Sequence, residues 1–229
     1  MPYSENWTIP AGTDTYDRPS DWNPEDCIIE AWGAGASGGR LISLGGGSFR
    51  ATTGGMGGSY AANAGTTDEP LELPAAFVCT VADDTDPATD ENIVPGGATS
   101  LLGEPGTPVV LAAGGGSSSA SVGDVTYRGG GFGSAQHGGG DGAGGPHGTG
   151  VTGTSNGGAG DNGSGGTGGG LNVNGSDNAN GGGGSGRNTT DGTTLYGGFP
   201  GGGSGTVTNT LATAFSQGRA GTLVLRWNP

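Results

Sequence analysis

Gly157-Gly158-Ala159-Gly160-Asp161-Asn162-Gly163-Ser164-Gly165-Gly166-Thr167-Gly168-Gly169 decides how this chain must be read. Glycine returns there at every third place, at 157, 160, 163, 166 and 169. Over the wider window Gly138 to Gly186, 24 glycines sort by phase into 12, 8 and 4. The depleted frame holds Ala143, Thr149, Thr152, Ser155, Asp161, Ser164 and Thr167, which predicts one face toward water and two toward neighbours. A repeat of three fits the extended polyproline-II geometry, whereas an α-helix repeats at 3.6 and a strand at 2. Such backbone makes no hydrogen bonds within itself, and glycine buries no side chain, so a single rod melts. A bundle of rods can satisfy its N–H and C=O groups laterally, with Cα–H···O contacts adding a smaller term.

Working outward, 39 of the chain's 58 glycines fall between Gly114 and Gly205. A Gly/Ser tract without period is a flexible linker, and the phase bias argues against that reading here. Collagen is excluded, because glycine is not strict at every third place and Pro146 is the only proline between Pro108 and Pro200. Regular structure is predicted at the two ends. Asn6–Pro10, Cys27–Trp32, Phe77–Val81, Thr99–Leu102, Val109–Ala113 and Thr222–Trp227 read as strands, and no apolar pattern holds helical spacing for three turns. The expectation is an all-β fold: a small antiparallel β-sandwich head of six to nine strands, residues 1–113 and 206–229. Between them, residues 114–205 form a glycine-rich insertion, either loops or a polyglycine-II helix bundle, with Asn172-Val173-Asn174-Gly175 and Asn178-Ala179-Asn180-Gly181 as turns.

Charge bounds the partners. Twenty-one acidic residues face 7 basic ones, all arginine, for a net charge of −14. A chain without lysine or a basic patch is a poor match for nucleic acid. Met1-Pro2-Tyr3-Ser4 has neither the basic nor the apolar region of a signal peptide, and no apolar run reaches membrane-spanning length, so cytosolic synthesis without membrane insertion is expected. Cys27 and Cys79 sit in strand-like runs without Cys-x-x-Cys spacing and read as buried free thiols.

No catalytic constellation emerges. Gly33-Ala34-Gly35-Ala36-Ser37-Gly38 spells a dinucleotide fingerprint and Gly35-Ala36-Ser37-Gly38-Gly39 a nucleophile elbow, but both need a helix that the following glycines forbid. Asp83, Asp84, Asp86 and Asp90 are the weak calcium candidates. Their spacing lacks the EF-hand glycine and Pro87 interrupts it, so the cluster reads first as a solvated acidic loop. Neither a cofactor nor enzymatic activity is expected. Trp7, Trp32 and Trp227 are expected in core or edge packing. Tyr127, Phe132, Tyr196 and Phe199 flank or interrupt the tract and either cap rods or face a partner. With His137 and His147, the contact candidates are Tyr127, His137, His147, Tyr196 and Phe199.

The order of motifs carries a resemblance. Trp7-Thr8-Ile9-Pro10-Ala11-Gly12, Ile28-Ile29-Glu30-Ala31-Trp32-Gly33-Ala34-Gly35 and Gly54-Gly55-Met56-Gly57-Gly58-Ser59-Tyr60 resemble the opening of the glycine-rich domain of phage tail and virion proteins. Gly96-Gly97-Ala98-Thr99-Ser100, Leu111 to Gly116, Leu171 to Gly175 and Gly221 to Leu225 follow in the same order. The chain departs from that pattern by an insertion, Thr13 to Glu25, where the family has a tight turn. In its glycine tract it is similar to phage adhesins with polyglycine-II sandwiches. The resemblance implies a virion structural protein, assembled in the host cytoplasm, at a tail fibre or tail tip. Its partners would be other virion proteins, a host surface glycan or outer-membrane protein, and further copies of itself. A decoration protein without receptor role is the alternative, with an ice-binding or matrix protein behind it.

Overall fold

The computed structural model describes residues 3–40, 43–45, 48–49, 53–103, 106–131, 139–154, 156–190, 192–208 and 214–229. The strands are β1 (Glu5–Ile9), β2 (Gly12–Asp17), β3 (Cys27–Trp32), β4 (Ser43–Gly45), β5 (Ser48–Phe49), β6 (Tyr60–Gly65), β7 (Ala76–Val81), β8 (Thr99–Leu102), β9 (Pro108–Ala112), β10 (Val125–Tyr127), β11 (Thr194–Tyr196), β12 (Phe215–Gln217) and β13 (Thr222–Trp227). One 3-10 turn, Asp161–Gly163, is the only helical element among the described residues. An antiparallel five-stranded sheet, β1-β13-β3-β6-β10, faces an antiparallel four-stranded sheet, β2-β7-β8-β9. A parallel pair, β11-β12, and the short pair β4-β5 stand apart from both.

Alternation along the strands makes this a sandwich. Ile29, Ala31, Leu223 and Leu225 from one sheet meet Phe77, Cys79, Leu101 and Val110 from the other, all of them buried. Each fully buried large apolar side chain contributes about 1.5–3 kcal/mol. Both cysteines are free and buried as expected. Burial pushes the Cys27 thiol up to about 11 and the Cys79 thiol up to about 12. The insertion Thr13 to Glu25 supplies most of β2, which pairs with β7 from Gly12↔Val81 to Asp17↔Ala76. Its sequence is polar because it is an edge strand: only Tyr16 packs inward, against Trp7 with ring centroids 5.4 Å apart, while Asp14 and Asp17 stay at the surface.

Beyond the sheets the backbone bonds in another way. β3 runs on into residues 33–39, whose successive amides turn to three neighbours in rotation. Gly33 and Ala36 donate to Ser59 and Met56, Ala34 and Ser37 to Gly97 and Val94, and Gly35 to Arg219. The same rotation holds at 139–144. Gly139 and Gly142 donate to Thr154 and Val151, Gly140 and Ala143 to Ser185 and Gly182, and Asp141 and Gly144 to Gly55 and Gly58. At 182–186 the acceptors are Pro200 and Gly203 for one phase and Ser176 and Val173 for another. Partners recur every third residue and the registers step by three on both sides. Side chains in such a lattice are excluded by neighbouring backbone: a Cβ on Gly142 would run into the carbonyl of Ala159.

Segments bonded in this way include 33–39, 53–59 and 94–97, stretches within residues 1–113 that precede or continue strands β3, β6 and β8. The change in bonding mode therefore falls inside the predicted head, where short Gly/Ala runs carry too few residues to display a period. Of the glycine-poor frame, Thr149, Thr152, Ser164 and Thr167 face water, but Ala143 and Asp161 are completely buried. Ala143 lies in a segment with neighbours on every side, and Asp161 opens the 3-10 turn, where its carboxylate binds His147. Ser155 lies outside the described residues.

Candidate functional site

The outer face of the five-stranded sheet carries a second apolar cluster where the rods begin. The Trp32 and Tyr60 rings pack at 4.9 Å between centroids, inclined by 59°, with Ala62, Val224, Ile28 and Tyr127 around them. Trp32 donates its indole N–H to the carbonyl of Asn180, 3.3 Å away, so a turn of the insertion is tied to the sheet. Glu30 is buried on this face and accepts from the Tyr60 hydroxyl at 2.8 Å while pairing with Arg226. Burial, then the nearby Asp161 and Tyr127, raise the Tyr60 phenol above its ordinary value.

The predicted contact residues fall into three places. Tyr127 belongs to β10, opposite Tyr60, half-buried against the outer-face cluster, and it borders a groove of about 690 Å³ beside the Ser117–Ser121 loop. His147 occupies a turn close to the sheet. Its backbone N–H donates to Oδ1 of the fully buried Asp161 at 2.7 Å, and its ring Nδ1 lies 2.6 Å from Oδ2. The imidazole is otherwise exposed, so His147 closes a turn rather than joining another candidate. Phe132 and His137 lie outside the described residues.

Tyr196 and Phe199 sit three apart on one segment, against residues that sequence reasoning passed over. The Arg219 guanidinium lies 5.1 Å from the Tyr196 ring centroid and pairs with Asp84 at 3.0 Å. Across from them, Asn174 Oδ1 accepts from the Tyr196 amide at 3.0 Å and Asp177 Oδ1 from the Phe199 amide at 2.7 Å. The spacing of three in each pair is the period of the rods, so 174 and 177 share a face of one rod and meet 196 and 199 on the next. That matching interval was the available signal. Asn174, Asp177, Tyr196 and Arg219 line a depression of about 260 Å³.

The acidic loop is taken up locally. Asp84 also accepts from the Ala220 amide at 2.8 Å, Asp83 from the Asp84 amide and Asp90 from the Asn92 amide. Among the described residues no group of three or more His, Cys, Asp or Glu is placed to hold a metal ion. The fingerprint 33–38 is extended backbone with no helix after it among the described residues.

Another carboxyl group is buried among these glycine-rich segments. Asp141 is fully buried, Oδ1 accepts from the Gly153 amide at 2.6 Å, and Oδ2 has no partner. Burial pushes its carboxyl up to about 7, against a smaller lowering by the Gly153 bond. Because the folded value lies above the unfolded one, the folded state holds the proton more tightly. The associated stability is complete below about pH 4 and is lost as pH rises through about 7. Asp141→Asn keeps the acceptor for Gly153 and removes the charge, so above pH 7 it should be the more stable form by roughly 2–4 kcal/mol. Urea melts of both proteins from pH 4 to 9 measure this. Parallel stability curves would show that the carboxylate reaches water.

No helix among the described residues is long and apolar enough to cross a membrane. No protein-family model matches the chain, and no curated protein matches it in sequence.

Proposed function

We propose that the chain is a non-enzymatic phage virion protein whose β-sandwich docks onto a fibre, tail or capsid and whose glycine rods form a polyglycine-II bundle that displays loops to the host surface. One observation carries this reading: the molecule has two different poles. β1 and β13 pair antiparallel with Glu5 opposite Trp227, and Ser4 N–H donates to Asn228 Oδ1 at 2.8 Å, so both described chain ends leave from the same end of the sheet. The rods leave from the other end, since Trp32 and Thr222 are the strand residues that join 33–39 and 218–221. Following the registers outward from there leads to the turn at 170–173, where Leu171 and Val173 are about half exposed.

A rigid spacer with attachment at one pole and exposed apolar loops at the other suits multivalent weak contact, with avidity supplied by copy number. The order of the motifs, which resembles that of glycine-rich phage tail domains, supports the same setting. Assembly takes place in the host cytoplasm and the mature location is the virion. A decoration protein is the second reading, favoured by the lateral bonding that ties the rods to the sheet.

Adsorption separates the two. Particles carrying Leu171→Ser, Val173→Ser, Tyr196→Ala and Phe199→Ala together should bind host cells at least about tenfold less, with assembly and melting temperature unchanged. Normal adsorption by those particles would remove the attachment reading and leave decoration. Deleting 138–186 is a poorer test, because Asp141 and Gly144 brace residues 55–58.

A further inference from the structure

We infer that the depression between Asn174, Asp177, Tyr196 and Arg219 is a binding site for a neutral, hydroxyl-rich carbohydrate. The assignment deepens the host-attachment reading and rests on it for its biological setting, while its chemistry stands on the side chains alone.

Asn174 and Asp177 each spend one oxygen on a neighbouring amide, at 3.0 and 2.7 Å, and this fixes both side chains. What remains is the Asn174 Nδ2 donor and the Asp177 Oδ2 acceptor, on two exposed residues and without a further hydrogen bond among the described residues. Their backbones are three residues apart on one extended segment, hence about 9 Å at about 3.1 Å per residue. A donor and an acceptor at that interval, both held in advance, suit hydroxyls on two linked pyranose rings. A preorganised polar pair loses little entropy on binding.

In the same depression the Arg219 guanidinium lies over the Tyr196 ring, an amphipathic wall for the C–H face of a sugar. Arg219 does not make the site anionic-selective. Its guanidinium is already paired with Asp84, Asp177 adds a negative charge at the rim, and the chain's net charge is −14. A carboxylated or phosphorylated sugar is therefore disfavoured and a neutral one is not.

The test uses the purified protein, so that it is independent of particle adsorption. Glucose, galactose, mannose, N-acetylglucosamine and their β-linked disaccharides are titrated to about 100 mM, well above a millimolar Kd, while the Gly175 and Gly197 amides are followed by NMR, with N-acetylneuraminic acid as the anionic comparison. At least one neutral sugar should shift both amides, disaccharides more tightly than monosaccharides. Asp177→Asn, which retains the acceptor for Phe199 and loses the anionic oxygen, should weaken binding about tenfold with the rest of the spectrum unchanged.

Absence of any shift with neutral sugars, a preference for the acidic sugar, or full affinity in Asp177→Asn would each overturn the site. Sugar binding in protein whose particles adsorb normally after the four-residue substitution would uphold the site and end the attachment reading. Impaired adsorption without sugar binding would do the reverse.

Discussion

Gly142→Val should cost the protein its rods. The Gly142 amide donates to Val151 at 3.0 Å, and Val151 in turn donates to Ala159 at 2.8 Å. A Cβ on residue 142 would meet that same Ala159 carbonyl. Neither rod can move aside without breaking bonds to a third, so the expected loss exceeds about 3 kcal/mol, at the upper end of what overpacking costs. Thr149→Val, on an exposed residue of the glycine-poor frame, should change stability by less than about 0.5 kcal/mol. Protease resistance of 139–186 and thermal melting read both. Equal tolerance at the two positions would mean that the tract is a flexible linker. Gly166 belongs with Gly142, since a Cβ there meets the Ser176 carbonyl, whereas Ser164 is exposed. Gly163 is a separate case: its surroundings are open, and its φ of +87° makes substitution a matter of backbone strain.

Trp32→Ala is expected to be nearly as damaging, at about 3–5 kcal/mol for an aromatic truncation in a packed site. Trp32 is 1% exposed, packs on Tyr60, and is the sheet residue whose indole holds the Asn178–Gly181 turn through Asn180. The substitution should therefore lower the resistance of the tract to proteolysis together with the denaturation midpoint of the sandwich. Val224→Ala, in the same cluster, should follow at about 2 kcal/mol. A loss below about 1 kcal/mol at both positions would show that this face of the sheet does not support the bundle.

The six strands anticipated from apolar runs all form, because Val, Ile, Leu and Trp at alternating places need no tertiary context to be read. β2 and β6 escaped notice for opposite reasons. Gly12 to Asp17 is polar because it is an edge, and Tyr60 to Gly65 is half alanine, with Ala61 and Ala62 buried where the strand lies between β3 and β10. The three-residue period was legible only where glycine is dense. Ala34, Ser37 and Met56 keep the same bonding rotation without announcing it. At the candidate site, Tyr196 and Phe199 could be picked out as aromatics lacking an apolar core. Arg219, more than 20 residues away, and Asn174 and Asp177, among many similar polar residues, became partners only through the lateral register.

The rotation of bonds among three neighbours also constrains how such a chain can lengthen. One residue inserted within 139–144 would turn everything after it by a third of a revolution, so that the position now facing 55–58 would face 150–154 or 182–185 instead. Three inserted residues restore the facing and lengthen the rod by one step of about 9 Å. Inheritable length changes inside the rods are thus quantised in threes, while the turns between them accept any number, and diversity in this architecture accumulates at its ends.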